Sequence, residues 1–299
     1  MRELRLLITN SCNYNCFFCH HEGLQEKQEH NLNAFDYAYL YKAFRELYLN
    51  NEITVTGGEP LIRKDIFEIL KALKEANAKT TLVTNGSFLE EAYQVGTYVD
   101  RINISLHSLD KNIYHSVVGT NSLDKVINGI HKIIEKYPNA QIRFNTTILK
   151  GLNDDKKNIS QLLDFTSELK ASIKFIELYP ASKSNFVPLS VIENILKQKQ
   201  FEKIRSNERQ IIYLKDNAIT AVLTKIFCAH AATSKKPTEY CSAHQDLFIT
   251  PDGGIKTCMN TNEEISILNA IRNRDIKRLS HQLNLAISQM GKHCNQRKD

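Results

Sequence analysis

At 299 residues, with 42% apolar and 24% charged side chains, the chain has the composition of a globular protein, either one large domain or a large one with a smaller companion. No window approaches the roughly 18 apolar residues of a membrane span, and the opening LRLLIT is too short for a signal-peptide core, so a cytoplasmic protein with no membrane partner is expected. The net charge of +6 is mild and dispersed; runs such as RNRDIKR (272–278) read as solvated helix faces, so no nucleic-acid partner is expected.

In chain order, short β-rich runs alternate with amphipathic stretches. Strands are predicted at 4–9, 52–56, 79–84, 101–106, 140–149 and 173–178, and helices at 34–49, 63–77, 88–96, 122–137 and 154–170. In the second helix Ile66, Ile69, Leu70 and Leu73 recur at helical spacing, and the pattern stops near Asn77. Serial strand–helix units imply a parallel sheet with right-handed crossovers. Six units fall short of the eight that close a full barrel, so the expected fold is α/β, a partial (β/α)6 TIM-like barrel. Beyond about residue 200 the pattern changes. Residues 211–227 and 247–258 read as hairpins, the second turning on Pro-Asp-Gly-Gly, and a last amphipathic helix is expected over 268–290. The expected division is a core of 1–210 and a small cysteine-bearing domain of 211–299.

The seven cysteines are unevenly placed: three within residues 12–19, none between Cys19 and Cys228, and four in the last quarter. In a reducing compartment this implies two separate thiolate sites rather than disulfides. Cys12, Cys16 and Cys19 form C-x3-C-x2-C in the loop leaving the first strand, at the barrel end where active sites are built. Spacing alone leaves two metals open. Zinc would need a fourth ligand such as His20 or His21; an iron–sulfur cluster on three cysteines would leave one iron free. After the second strand comes TGGEP (56–60), in which Gly57 and Gly58 permit close backbone approach to a ligand and Glu59 offers a carboxylate suited to an ammonium group.

C-x3-C-x2-C with Phe18 before its last cysteine, followed by GGEP after strand two, resembles the radical S-adenosylmethionine superfamily. LRLLITNSCNYNCFFCHHEG, TGGEPLIRKD, VTNG, RINISLHSLD, FNTTILKGLNDD and IKFIELYP further resemble the successive motifs of its MoaA (GTP 3′,8-cyclase) branch, across residues 4–180. The resemblance implies that Cys12, Cys16 and Cys19 hold a [4Fe–4S] cluster whose fourth iron binds S-adenosylmethionine. Phe18 would lie against the adenine, Gly57, Gly58 and Glu59 would receive the methionine ammonium, and Ser105 and Tyr179 would contact the same cofactor. One electron, from a donor such as flavodoxin or ferredoxin, would cleave the sulfonium to a 5′-deoxyadenosyl radical that abstracts a substrate hydrogen.

The resemblance also implies a second iron–sulfur cluster on C-x2-C-x13-C. Here Cys241 and Cys258 keep the frame, His244 replaces the middle cysteine, and Cys228 lies thirteen residues upstream. Either Cys228 or His244, or both, would complete that site; a Cys3His zinc site suits the same residues. Cys294 is read as a bystander. The substrate positions depart from the cyclase pattern. Arg5 is kept and Arg143 stands where lysine is usual, but Thr54, Asp246 and Phe248 replace expected arginines, Val83 replaces a threonine, and the chain ends CNQRKD rather than in diglycine. An anion and a ring in place of two cations disfavour a tetra-anionic nucleotide. His107 takes a slot where aspartate is common, either lining the pocket or capping a loop. The expected function is a radical S-adenosylmethionine enzyme acting on a small, nucleotide-like or peptide substrate, other than GTP, held between Arg5, Arg143 and the second metal site. A true GTP 3′,8-cyclase and a non-catalytic zinc-binding interaction module are the alternatives.

Overall fold

The computed structural model describes residues 3–24, 29–48, 50–178, 186–226, 228 and 237–292. The six predicted strands are present: β1 (Leu4–Leu7), β2 (Glu52–Thr56), β3 (Lys79–Thr84), β4 (Arg101–Ser105), β5 (Gln141–Thr147) and β6 (Ser172–Ile176). They lie side by side in chain order, each parallel to the next. The crossovers carry α1 (Ala34–Tyr48), α2 (Ile66–Glu75), α3 (Lys111–Val118), α4 (Leu123–Lys136) and α5 (Lys156–Glu168). After α6 (Ser190–Gln198) come β7 (Glu202–Ser206), β8 (Gln210–Lys215) and β9 (Ile219–Thr224). The C-terminal part holds α7 (Pro237–His244), β10 (Leu247–Ile249), β11 (Gly254–Lys256), β12 (Glu264–Ser266), α8 (Leu268–Arg272) and α9 (Ile276–Gln289).

Among the described residues, twelve strands form one open sheet, in the order β12-β11-β10-β1-β2-β3-β4-β5-β6-β9-β8-β7. This is a partial (β/α)6 barrel extended at both edges. β9 runs parallel to β6 and carries the antiparallel β8 and β7, while β10 runs parallel to β1 and carries the antiparallel β11 and β12.

Alternation along the strands separates two faces. Leu4, Leu6, Ile53, Val55, Leu82, Ile102, Ile104, Phe144, Ile173 and Phe175 are buried against the helices. Every second residue points the other way, into the barrel lumen, and there the sequence turns polar: Arg5, Thr54, Thr81, Asn103, Arg143, Asn145 and Lys174. The outer face is a hydrophobic core, the inner face a lined cavity.

Three local readings differ from the structure. The helix expected over 88–96 reduces to a 3₁₀ stretch at Tyr93–Thr97, because Gly86 turns the chain at a φ of +84° and Gly96 lies against the Tyr137 ring. The helix expected over 268–290 is two helices broken at Arg274, whose φ is +53°. The break lets the Arg274 guanidinium reach Asp36 at 3.1 Å and lie over the Tyr39 ring, and Asp275 caps α9 by accepting from the Arg278 N–H. Helix α3 was not anticipated. Its signals are the Asp110 cap, which accepts from the N–H groups of Asn112 and Ile113, and a left-handed Gly119.

One buried side chain fixes the start of the site. Arg63, beyond the TGGEP turn, donates to the carbonyls of Ile8 at 2.6 Å and Leu32 at 2.8 Å, forks onto both oxygens of Asp65, and lies over the Tyr37 ring. It joins the ends of β1 and β2 to the approach to α1. Arg63→Ala is expected to lower the unfolding free energy by about 3 kcal/mol, since it leaves two buried carbonyls and a carboxylate unmatched. Arg63→Lys should recover less than half, because an ammonium cannot reproduce the fork; urea unfolding of both variants checks this.

Candidate active site

The loops at the C-terminal ends of β1–β4 meet at one end of the barrel. The loop after β1 carries Cys12, Cys16 and Cys19, of which Cys12 and Cys19 are exposed and Cys16 half-buried. It is tied down at each stage. The Gly58 N–H donates to the Thr9 carbonyl at 2.7 Å and the Glu59 N–H to the Ser11 carbonyl at 2.8 Å, so TGGE and the start of the cysteine loop pair like two strands. The Asn15 N–H donates to the Val118 carbonyl at the end of α3, and the Tyr14 hydroxyl joins those of Tyr114 and Ser122. Asn85, from the loop after β3, donates to Asn13 Oδ1 at 2.8 Å and approaches Cys12 Sγ at 3.9 Å.

This pairing explains the two glycines, and for a different reason from the one read in the sequence. A Cβ on Gly57 would collide with the Thr9 carbonyl oxygen, and one on Gly58 with the Ser11 carbonyl oxygen; Gly57 also has a φ of +130°. What approaches the diglycine is the cysteine loop itself. Glu59 is likewise engaged from within. Its carboxylate is fully buried and accepts from the Leu61 N–H at 2.9 Å, the Thr84 hydroxyl at 2.8 Å and the Asn85 N–H at 2.6 Å. Burial pushes this carboxyl up to about 7 against the pull of those three donors. The Glu59 carboxylate thus also clamps the loops after β2 and β3 together.

The thiols themselves suit a cluster. Backbone N–H groups point at two of the sulfurs, Tyr14 to Cys12 Sγ at 3.4 Å and His21 to Cys19 Sγ at 3.3 Å. Burial, then the charges of Cys19 and Cys12, push the Cys16 thiol up to about 12. Three thiolates so close need compensating positive charge, which iron supplies. Phe18 packs edge-on to His107 with centroids 5.0 Å apart. His107 is buried and neutral, driven down to about 4 by burial, and its Nδ1 accepts from the Thr147 N–H at 3.3 Å. Of its two sequence readings, the second is closer: it locks the ends of β4 and β5. Ser105 stands at the end of β4, facing the lumen in register with Asn145.

At the second thiol group, Cys241 and Cys258 are buried and Cys228 is half-buried. Asn260 joins two of them: its side-chain amide approaches Cys228 Sγ at 3.6 Å, and its N–H donates to Cys258 Sγ at 3.4 Å. Tyr179 and Cys294 lie outside the described residues, as does the side chain of His244. Among the described residues, no three His, Cys, Asp or Glu side chains converge as ligands of a single metal ion.

The lumen holds more charge than the sequence suggested. Arg5 lies over the Phe248 ring at 5.5 Å and 3.6 Å from Glu3, which also accepts from the Thr54 hydroxyl. Asp246 accepts from the Glu3 N–H at 3.1 Å. Burial pushes the Arg143 guanidinium down to about 10, with Arg101 and Arg5 adding to the effect. Two further cations, Lys174 on β6 and Arg209 before β8, act on the same space. Sequence reasoning missed both, although the alternation of IRFNTT and IKFI already sets Arg143, Asn145 and Lys174 on one face.

The comparisons decide the family. Residues 6–163 match the model of the radical SAM superfamily. This chain belongs to the radical SAM superfamily. A probable GTP 3′,8-cyclase of Pyrococcus horikoshii is 33% identical over 91% of this chain and 88% of its own length. The probable GTP 3′,8-cyclase of Thermococcus kodakarensis is 31% identical, over 91% of this chain and 89% of its own. Among solved structures, Streptococcus suis SuiB bound to S-adenosylmethionine shares the fold at a TM-score of 0.64 and 16% identity, over 96% of this chain and 71% of its own. The protein is therefore a MoaA-like radical SAM enzyme, a family that works with a [4Fe–4S] cluster and S-adenosylmethionine, and the thiol loop above fits that cluster.

Gly58→Ala forces the cysteine loop off its pairing and is expected to yield folded protein that takes up less than half the iron of the wild type on anaerobic reconstitution. Glu59→Gln leaves one of the three donors facing an amide NH2 group and should cost about 1–3 kcal/mol in urea unfolding.

Proposed function

We propose that this enzyme uses radical SAM chemistry on a small substrate other than GTP, bound in the barrel lumen between Arg5, Arg143 and the second thiol site. When bound, the cluster with S-adenosylmethionine supplies one-electron cleavage of the sulfonium and hence a 5′-deoxyadenosyl radical for hydrogen abstraction. The chain's own part is to hold and orient. Cys12, Cys16 and Cys19 carry the cluster; the backbone of Gly57, Gly58 and Glu59 presents the methionine end; Phe18, Ser105 and Tyr179 frame the nucleoside. We assign the second cluster to Cys241 and Cys258 with Cys228, His244 or both, within a functional segment of 211–299 that follows a core of 1–210. The working compartment is the cytoplasm, with a flavodoxin or ferredoxin as electron donor; among the described residues no helix is long and apolar enough to cross a membrane.

The observation that carries the choice of substrate is the set of groups around Arg5. Phe248 lies beneath the guanidinium, and Glu3 and Asp246 flank it. Two carboxylates near the anion-binding cation oppose a tetra-anionic triphosphate by several kcal/mol at low effective dielectric. The lumen retains enough cations for a substrate with one anionic group. GTP 3′,8-cyclisation remains the second reading, favoured by the names of relatives about one-third identical.

Anaerobic protein with dithionite and S-adenosylmethionine should release 5′-deoxyadenosine, and Cys12→Ala should abolish the release. Added GTP should neither accelerate it nor be consumed. A cyclised nucleotide product would establish the second reading instead, and zinc without iron or sulfide at the first site would sink both.

A further inference from the structure

Lys174 is a half-buried lysine of the lumen with no task in cofactor binding. It lies mid-strand between Ile173 and Phe175, which are fully buried against the helices, so its side chain enters the lumen. Register sets Ser105, Asn145, Lys174 and Val222 in one row across β4, β5, β6 and β9. Two strand spacings, roughly 10 Å, separate Lys174 from Ser105.

The charges facing Lys174 are mostly of its own sign. Arg143 acts from β5, Arg5 from β1 and Arg209 from the turn before β8, against the single carboxylate of Glu3. Among the described residues its amine has neither a hydrogen-bond nor an ion-pair partner. Lys256 shows the usual alternative: buried more deeply than Lys174, it donates to the Thr261 carbonyl at 3.0 Å and faces Glu264 at 3.6 Å. Burial, then the three guanidiniums, push the Lys174 amine down to about 7. Arg143, brought down only to about 10, keeps its proton at neutral pH. A free amine therefore coexists with fixed cations, the combination found where lysines act as nucleophiles. Beside it, Asn145 Oδ1, Asn103 Oδ1 and Arg143 Nε are buried without partners, two acceptors and one donor on the same face.

We propose that Lys174 forms a Schiff base with a substrate that carries a carbonyl next to an anionic group, the 2-oxo acid class, whose carboxylate the neighbouring guanidiniums hold. Nζ adds to the carbonyl carbon; the C–N bond forms as the π electrons move to oxygen, which takes up one of the two Nζ protons, the second leaving with the hydroxyl. Loss of water then gives the imine, with no change of oxidation state and no further reactant. Asn145, directly opposite Lys174, is placed to accept from the carbinolamine hydroxyl. The proposal rests on the lumen as substrate site and narrows that substrate to a carbonyl compound.

The test is reductive trapping on the reconstituted holoprotein. Wild type, Lys174→Arg and Arg143→Gln, each checked for folding by circular dichroism, are treated anaerobically with pyruvate and cyanoborohydride, and adducts are mapped by mass spectrometry. Acetone serves as the carbonyl that lacks the anion. Pyruvate should label Lys174 at least about tenfold above exposed lysines such as Lys71 and Lys111, as expected for a positioned reaction. Acetone should show no such preference, and Arg143→Gln should weaken the pyruvate labelling. Even labelling of all lysines, or labelling of Lys174 equal with acetone and pyruvate, would overturn the proposal. Release of 5′-deoxyadenosine is scored on the same samples. Even labelling with intact release removes the Schiff base alone, whereas selective labelling without release removes the radical reading alone.

Discussion

Two backbone hydrogen bonds, from Gly58 to Thr9 and from Glu59 to Ser11, set the geometry on which the rest of the site depends. They draw the loop after β2 against the loop after β1, closer than any side-chain-bearing residue allows. The neighbouring groups then form a chain of consequences. Arg63 holds the Ile8 carbonyl one residue before the paired stretch, and Glu59 passes the constraint to Thr84 and Asn85 after β3. Asn85 returns it to Asn13 and Cys12. A loop that must present three thiols to one cluster is thus fixed from both sides by elements whose own positions the parallel sheet determines.

Much of this fold was readable in the sequence because the sheet is lined differently on its two faces. Outward residues are mostly apolar and inward ones mostly polar, so period-two alternation marks strands such as QIRFNTT even in a parallel barrel, where continuous apolar runs are the rule. The readings failed where local pattern yields to tertiary contact. A helix over 268–290 satisfies periodicity, yet Arg274 leaves it to meet Asp36 and Tyr39 on α1. The cysteine loop and TGGEP were visible as motifs, but their mutual packing was not, since the partners lie some fifty residues apart. Nothing in GGEP itself announces that its glycines touch protein and that its carboxylate accepts from three donors of the fold.

The lumen shows the same limit in its charges. Arg5 and Arg143 stand out in the sequence through the motifs around them, whereas Lys174 and Arg209 gain meaning only once register brings four strands' worth of side chains to one space. Their joint effect exceeds that of any one. Three guanidiniums that cannot readily lose a proton raise the cost of a fourth charge, and the lysine is the group that can yield it. Glu3 and Asp246 gather near Arg5 rather than beside Lys174, so the cavity is neutralised on the β1 and β10 side and left cationic toward β5 and β6.

That asymmetry is reinforced by how the two thiol-bearing regions meet. Gly23, which closes the first cysteine loop at a φ of +74°, packs so tightly on Met259 that a Cβ would lie 2.5 Å from its carbonyl oxygen. Met259 is flanked by Cys258 and by Asn260, which joins Cys258 to Cys228. The loops share a wall, and β10 is hydrogen-bonded directly to β1, so the two thiol groups are placed relative to one another by the sheet itself. The space between them is lined by a carboxylate pair on the β1 and β10 side and by cationic and amine groups on the β5 and β6 side, and the proposed substrate would meet that asymmetry.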